Sequence, residues 1–67
     1  MDKNLFRYFA NKNNDDTKSI AQALNVAKIT VLNKLNGKRG DFTRAEIAIL
    51  KQRWQLTDEQ CSNIFFN

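Results

Sequence analysis

Thr17-Lys18-Ser19-Ile20-Ala21-Gln22-Ala23-Leu24-Asn25-Val26-Ala27-Lys28-Ile29-Thr30-Val31-Leu32-Asn33-Lys34-Leu35-Asn36-Gly37 is the stretch that decides the fold. Ile20, Ala21 and Leu24 share one face of a helix over 17–24. Asn25 then stops that helix, because it tolerates the left-handed backbone that ends a helix abruptly. A second helix spans 28–36, with Val31 and Leu35 as its inward stripe and Gly37 as its stop. Ala21 stands four residues before Asn25 and Val31 six after it. A small residue where two short helices meet, at this spacing, is the pattern of a helix-turn-helix over 17–37, whose second helix is free to enter a DNA major groove.

Outward from this stretch the chain reads as helix throughout, and no strand is expected. Asp2 is a competent N-cap for a first helix running to about Asn11, with Leu5, Phe6 and Phe9 on its apolar side. The polar run Asn11-Lys12-Asn13-Asn14-Asp15-Asp16 is the connecting loop, and Asp16 can cap the helix that follows. Thr43 and Glu46 form a capping box, with Phe42 and Ile47 as its hydrophobic staple, opening a helix over 44–54 that buries Ile47, Leu50 and Trp54. The device repeats with Thr57 and Gln60 as box and Leu56 and Cys61 as staple, opening a last helix over 58–65. At its end, one or two of Ile64, Phe65 and Phe66 fold back onto the first helix near Phe6 or Phe9. The other role open to Phe65 and Phe66 is a dimer or partner contact.

Composition narrows the function. Sixty-seven residues, 42% of them hydrophobic and well scattered, make one domain near the lower size for a single apolar core. With no His and a single cysteine, Cys61, neither a zinc site nor a Cys/His nucleophile system is available. The carboxylates are scattered, and the two glycines form no phosphate-cradling loop. We therefore expect no enzyme, no metal, no cofactor and no small-molecule substrate. Cys61 reads as a small buried residue, which fits a reducing, cytoplasmic setting. No apolar run has the length of a membrane span. The net charge of +4, from 11 basic and 7 acidic side chains, suits a polyanionic partner and also suits simple solubility.

Ala21-Gln22-Ala23-Leu24-Asn25-Val26-Ala27-Lys28-Ile29-Thr30-Val31 resembles the Cro/CI-type (XRE-like) helix-turn-helix of phage repressors. Lys34-Leu35-Asn36-Gly37-Lys38, then Asp41-Phe42-Thr43-Arg44-Ala45-Glu46-Ile47, look like a small phage branch of that family. Leu56-Thr57-Asp58-Glu59-Gln60 and Ile64-Phe65-Phe66 look like its tail, so the similarity runs along nearly the whole chain. The resemblance implies a compact all-α, five-helix, lambda repressor-like DNA-binding fold in a bacterial host cell. It further implies a regulator of a lysis/lysogeny-like switch that binds double-stranded operator DNA, usually as a homodimer. By family position Lys28, Ile29, Leu32 and Asn33 face the bases, and Thr17, Lys18, Lys34, Lys38, Arg39 and Arg44 reach phosphates. In such a site Lys28 donates to guanine and Asn33 pairs with adenine. Each of these lysines is equally readable as a solvated surface charge.

Two departures from the family pattern matter. Ala27 stands where a Ser or Thr usually caps the second helix, which costs about 1 kcal/mol and removes a typical phosphate contact. Ile29 and Leu32 also make the outward face of that helix apolar. Apolar side chains can touch thymine methyl groups, so DNA reading survives. An exposed Ile/Leu pair framed by Lys28, Asn33 and Lys34 is equally what a protein-binding face looks like. The alternative is a modulator of repression, or antirepressor, that binds a cognate phage repressor through this face and masks the repressor's DNA-binding surface.

Overall fold

A computed structural model describes residues 1–38 and 40–66. Among these residues five helices form in the expected order: α1 (Lys3–Lys12), α2 (Thr17–Leu24), α3 (Lys28–Leu35), α4 (Arg44–Arg53) and α5 (Asp58–Phe65). No strand occurs among the described residues. The radius of gyration is 10.7 Å, close to the about 11 Å of a compact chain of this length.

Local chemistry sets the helix starts. Asp2 accepts from the Asn4 and Leu5 N–H groups and opens α1. Three reciprocal capping boxes open α2, α4 and α5: Asp16 with Ser19, Thr43 with Glu46, and Thr57 with Gln60. The two threonine boxes are as expected, whereas Ser19 as the returning partner of Asp16 was not anticipated. α3 alone starts without a side-chain cap, at Ala27.

The helix stops share one backbone device. Each of α1 to α4 is followed by a residue at positive φ: Asn14 (58°), Asn25 (57°), Gly37 (69°) and Gln55 (52°). At each of them a pair of reversed hydrogen bonds closes the helix end. After α2, for example, the Val26 N–H donates to the Ala21 carbonyl at 3.0 Å and the Asn25 N–H to that of Gln22 at 3.2 Å. The same pattern joins Asp15 to Ala10, Lys38 to Asn33 and Leu56 to Lys51. This is the Schellman closure, which satisfies last-turn carbonyls and turns the chain sharply. It explains how five short helices fit into 67 residues with no proline.

The core draws on every helix. Phe6, Phe9, Ala10, Ile20, Ala21, Leu24, Val31, Leu35, Ile47, Leu50, Cys61 and Ile64 are buried, together with Phe42, Trp54 and Leu56 from the connections. Phe6 is its centre: it stacks on Phe42 at 5.4 Å and meets Trp54 edge-on at 5.1 Å. Leu5, expected on the apolar stripe of α1, only borders the core, and Ala10 takes the inward place instead. Phe65 is half-buried, 6.1 Å from Phe6 and 6.0 Å from Phe42. α5 lies against α1, and the Asp2 N–H donates to the Ile64 carbonyl at 2.7 Å.

Two carboxylates, Asp15 and Glu46, sit inside this frame. Asp15, read from sequence as loop, is buried. It accepts two hydrogen bonds from Arg53 and one from Trp54 Nε1, at 2.8, 2.8 and 2.7 Å, plus one from the Ser19 hydroxyl at 2.8 Å. The start of α2 is thereby tied to the end of α4. Arg53 foremost, helped by Trp54 and Ser19, outweighs the cost of burial and holds the Asp15 carboxyl well below the usual carboxylate range.

Candidate recognition face

α2 packs chiefly against α3. Ala21 and Leu24 on one helix and Val31 and Leu35 on the other fill the space between them. That packing fixes what α3 turns outward. Lys28 and Ile29 are exposed, Asn33 is half-buried, and Leu32 lies at the edge of the face. The four residues expected to read bases or bind a partner are thus brought together on one helix. Ile29 dominates the face at 60% exposure, and Leu32 follows at 36%.

Two concavities flank the face. Ile29, Thr30, Asn33 and Lys34 line a shallow depression of about 250 Å³ on the flank of α3 that carries Lys34. On the other side Leu32 borders a groove of about 300 Å³ between α1 and the start of α2. Phe6, Ala10, Ile20 and Leu35 lend that groove apolar walls, and Arg7, Asn11 and Thr17 supply polar ones. The sequence reading missed Arg7 and Asn11, which stand one turn apart on α1. Their spacing is visible in the sequence, but only packing shows that they face α3.

The phosphate candidates divide. Lys18, Lys38 and Arg44 are exposed, and Thr17 is half-buried in the first turn of α2. Arg39 lies outside the described residues. Lys28 stands close enough to Asp16 for its charge to help keep that carboxyl ionised, although the Ser19 N–H does most of that work.

Lys34 corrects an expectation. Its side chain is only 14% exposed and pairs with Glu46 of α4. Its Nζ also lies 5.8 Å from the centre of the Phe42 ring. Burial works against the Glu46 charge, but Lys34 and the Thr43 N–H outweigh it and hold the carboxyl below its usual value. A lysine satisfied in this way is not presented to a phosphate. Phe65 is likewise turned into the aromatic cluster, while Phe66 is 66% exposed.

Among the described residues no group of three or more His, Cys, Asp or Glu side chains comes together to hold a metal ion. Nor is any helix long and apolar enough to cross a membrane. No family model, no curated protein and no solved structure matches this chain.

Proposed function

We propose that this chain is a small helix-turn-helix regulator of a phage-type genetic switch, with α2 and α3 as the motif and the outer face of α3 as its recognition surface. The resemblance to Cro/CI-type regulators and the tight Asn25 turn support the motif. The partner that this face suits best is a protein, a cognate repressor whose DNA-binding surface it masks. One observation carries this choice: the face centres on Ile29 and Leu32, while Lys34, the cation beside them, is spent on Glu46. Phosphates and base edges are met mainly by charged and polar side chains, whereas an apolar centre with a polar rim is the anatomy of a protein interface.

Operator DNA is the second reading, and the exposed Lys18, Lys28, Lys38 and Arg44 favour it. Titration calorimetry of the chain with the proposed cognate repressor separates the two. The first reading expects a complex that Ile29→Asp and Leu32→Asp each weaken by at least about tenfold, or about 1.4 kcal/mol. Sequence-selective binding of the isolated chain to its own promoter region, lost on Lys28→Ala and Asn33→Ala, overturns it in favour of DNA.

A further inference from the structure

Among the described residues, Lys34 and Glu46 form the one ion pair that reaches the α3 face. The other two, Lys51 with Asp58 and Arg53 with Asp15, tie α4 to α5 and to the start of α2. Lys34 borders the same depression as Ile29, Thr30 and Asn33, so its stem belongs to the recognition face while its charge does not. Glu46 is well placed to restrain it. It is the third residue of α4 and accepts from the Thr43 N–H at 2.8 Å through the same Oε1 that takes the Lys34 ammonium. The Glu46 N–H donates in return to the Thr43 hydroxyl oxygen at 3.2 Å, so the carboxylate is locked in orientation. The Phe42 ring closes the other side of the ammonium.

We infer that Glu46 is a specificity-determining residue, holding the Lys34 charge off the α3 face and so disfavouring nucleic-acid phosphate as a ligand there. The inference rests on the reading of α3 as a recognition surface. A like device is common in selective interfaces, where a group is positioned against the wrong partner as well as for the right one. With Glu46 neutral, the four-carbon stem of Lys34 swings outward past Thr30 and Asn33. The ammonium then stands on the flank of the α3 face opposite Lys28, which lies toward Asp16 at the start of α2. A face with an apolar centre becomes one with two cations, and the phosphate backbone of a duplex becomes an acceptable ligand.

Glu46→Gln is the test, because the amide oxygen still accepts from the Thr43 N–H and the helix start is kept. The probe is a 20-base-pair duplex of arbitrary sequence, followed by fluorescence anisotropy from 50 to 200 mM salt. We expect Glu46→Gln to bind at least about threefold tighter than the parent at 50 mM. Its plot of log affinity against log salt should steepen by about 0.9, the release expected for one added phosphate contact. The gain should vanish in Glu46→Gln/Lys34→Ala, which separates Lys34 from the loss of one negative charge. Circular dichroism melts of all variants confirm that each is folded. Overturning results are unchanged affinity and slope in Glu46→Gln, or a gain that survives Lys34→Ala. If the parent chain is already a weak duplex binder and Glu46→Gln matches it, only this inference fails. Tight duplex binding by the parent, unchanged by Glu46→Gln, removes the protein-partner reading as well.

Discussion

At the scale of single residues, Asp15 has the largest consequence. Its side chain is 4% exposed and satisfies Arg53, Trp54 and Ser19 together. Asp15→Asn keeps the shape but sets an amide N–H against donors on neighbouring side chains. Breaking a buried pair from one side costs about 3–5 kcal/mol when both groups are enclosed. Arg53 remains 41% exposed and rehydrates, so we expect about 2 kcal/mol here, less than for an enclosed pair. Urea titration should show this as a lower midpoint with an unchanged slope. The pH dependence follows from the direction of the shift. Folding lowers the affinity of Asp15 for a proton, so the unfolded chain binds more protons in acid and stability falls as pH falls. The contribution is complete above the ordinary carboxylate value and is lost progressively below about pH 4. Glu46 acts in the same direction. The parent midpoint should therefore be flat from about pH 5 to 7 and decline below about pH 4, and Asp15→Asn should flatten that decline. A parent midpoint that rises on acidification contradicts this account.

The helices show what a sequence can and cannot disclose. The Thr43 and Thr57 boxes, the Asn25 turn and the Gly37 stop were legible because each depends on residues within four positions of one another. Asp15 was not, because its partners Arg53 and Trp54 stand 38 and 39 residues along the chain. The Lys34 ion pair was hidden for the same reason at shorter range, its partner being 12 residues away. Four of the candidate residues were legible as one helical face, while Arg7 and Asn11 required the groove they share with Leu32 and Leu35 of α3. The unprotected start of α3 was legible, and it gives a prediction for that element. Ala27 is exposed and has the extended backbone of an N-cap, φ −73° and ψ 151°, with no side-chain oxygen to offer. Ala27→Ser supplies one and should stabilise the domain by about 1 kcal/mol. For a chain of this size that is a rise in Tm of about 4–8 °C. No gain in Tm would mean that the first N–H groups of α3 are already as well satisfied by water.

For the whole molecule the decisive feature is that the two ends of the chain close on each other. α5 packs on α1, the Asp2 N–H reaches the Ile64 carbonyl, and Phe65 joins the Phe6–Phe42 stack. This divides the roles of the last apolar side chains, which the sequence left open between core and contact. Phe65 is part of the fold, and Phe66 at 66% exposure is not. A domain of this length has a total stability of only about 3–10 kcal/mol. Phe65→Ala removes a half-buried ring and should cost about 2 kcal/mol, toward the lower end for an aromatic truncation because part of the ring already meets water. Phe66→Ala should stay within about 0.5 kcal/mol. Truncation after Asn63 removes the fully buried Ile64 along with Phe65. It should abolish the cooperative thermal transition, since the combined loss approaches the whole stability of so small a core. Sedimentation run beside the melts completes the test. A truncated chain that melts cooperatively and differs only in assembly mass would make this end an interface, and the closure of α1 by α5 would then be dispensable to the fold.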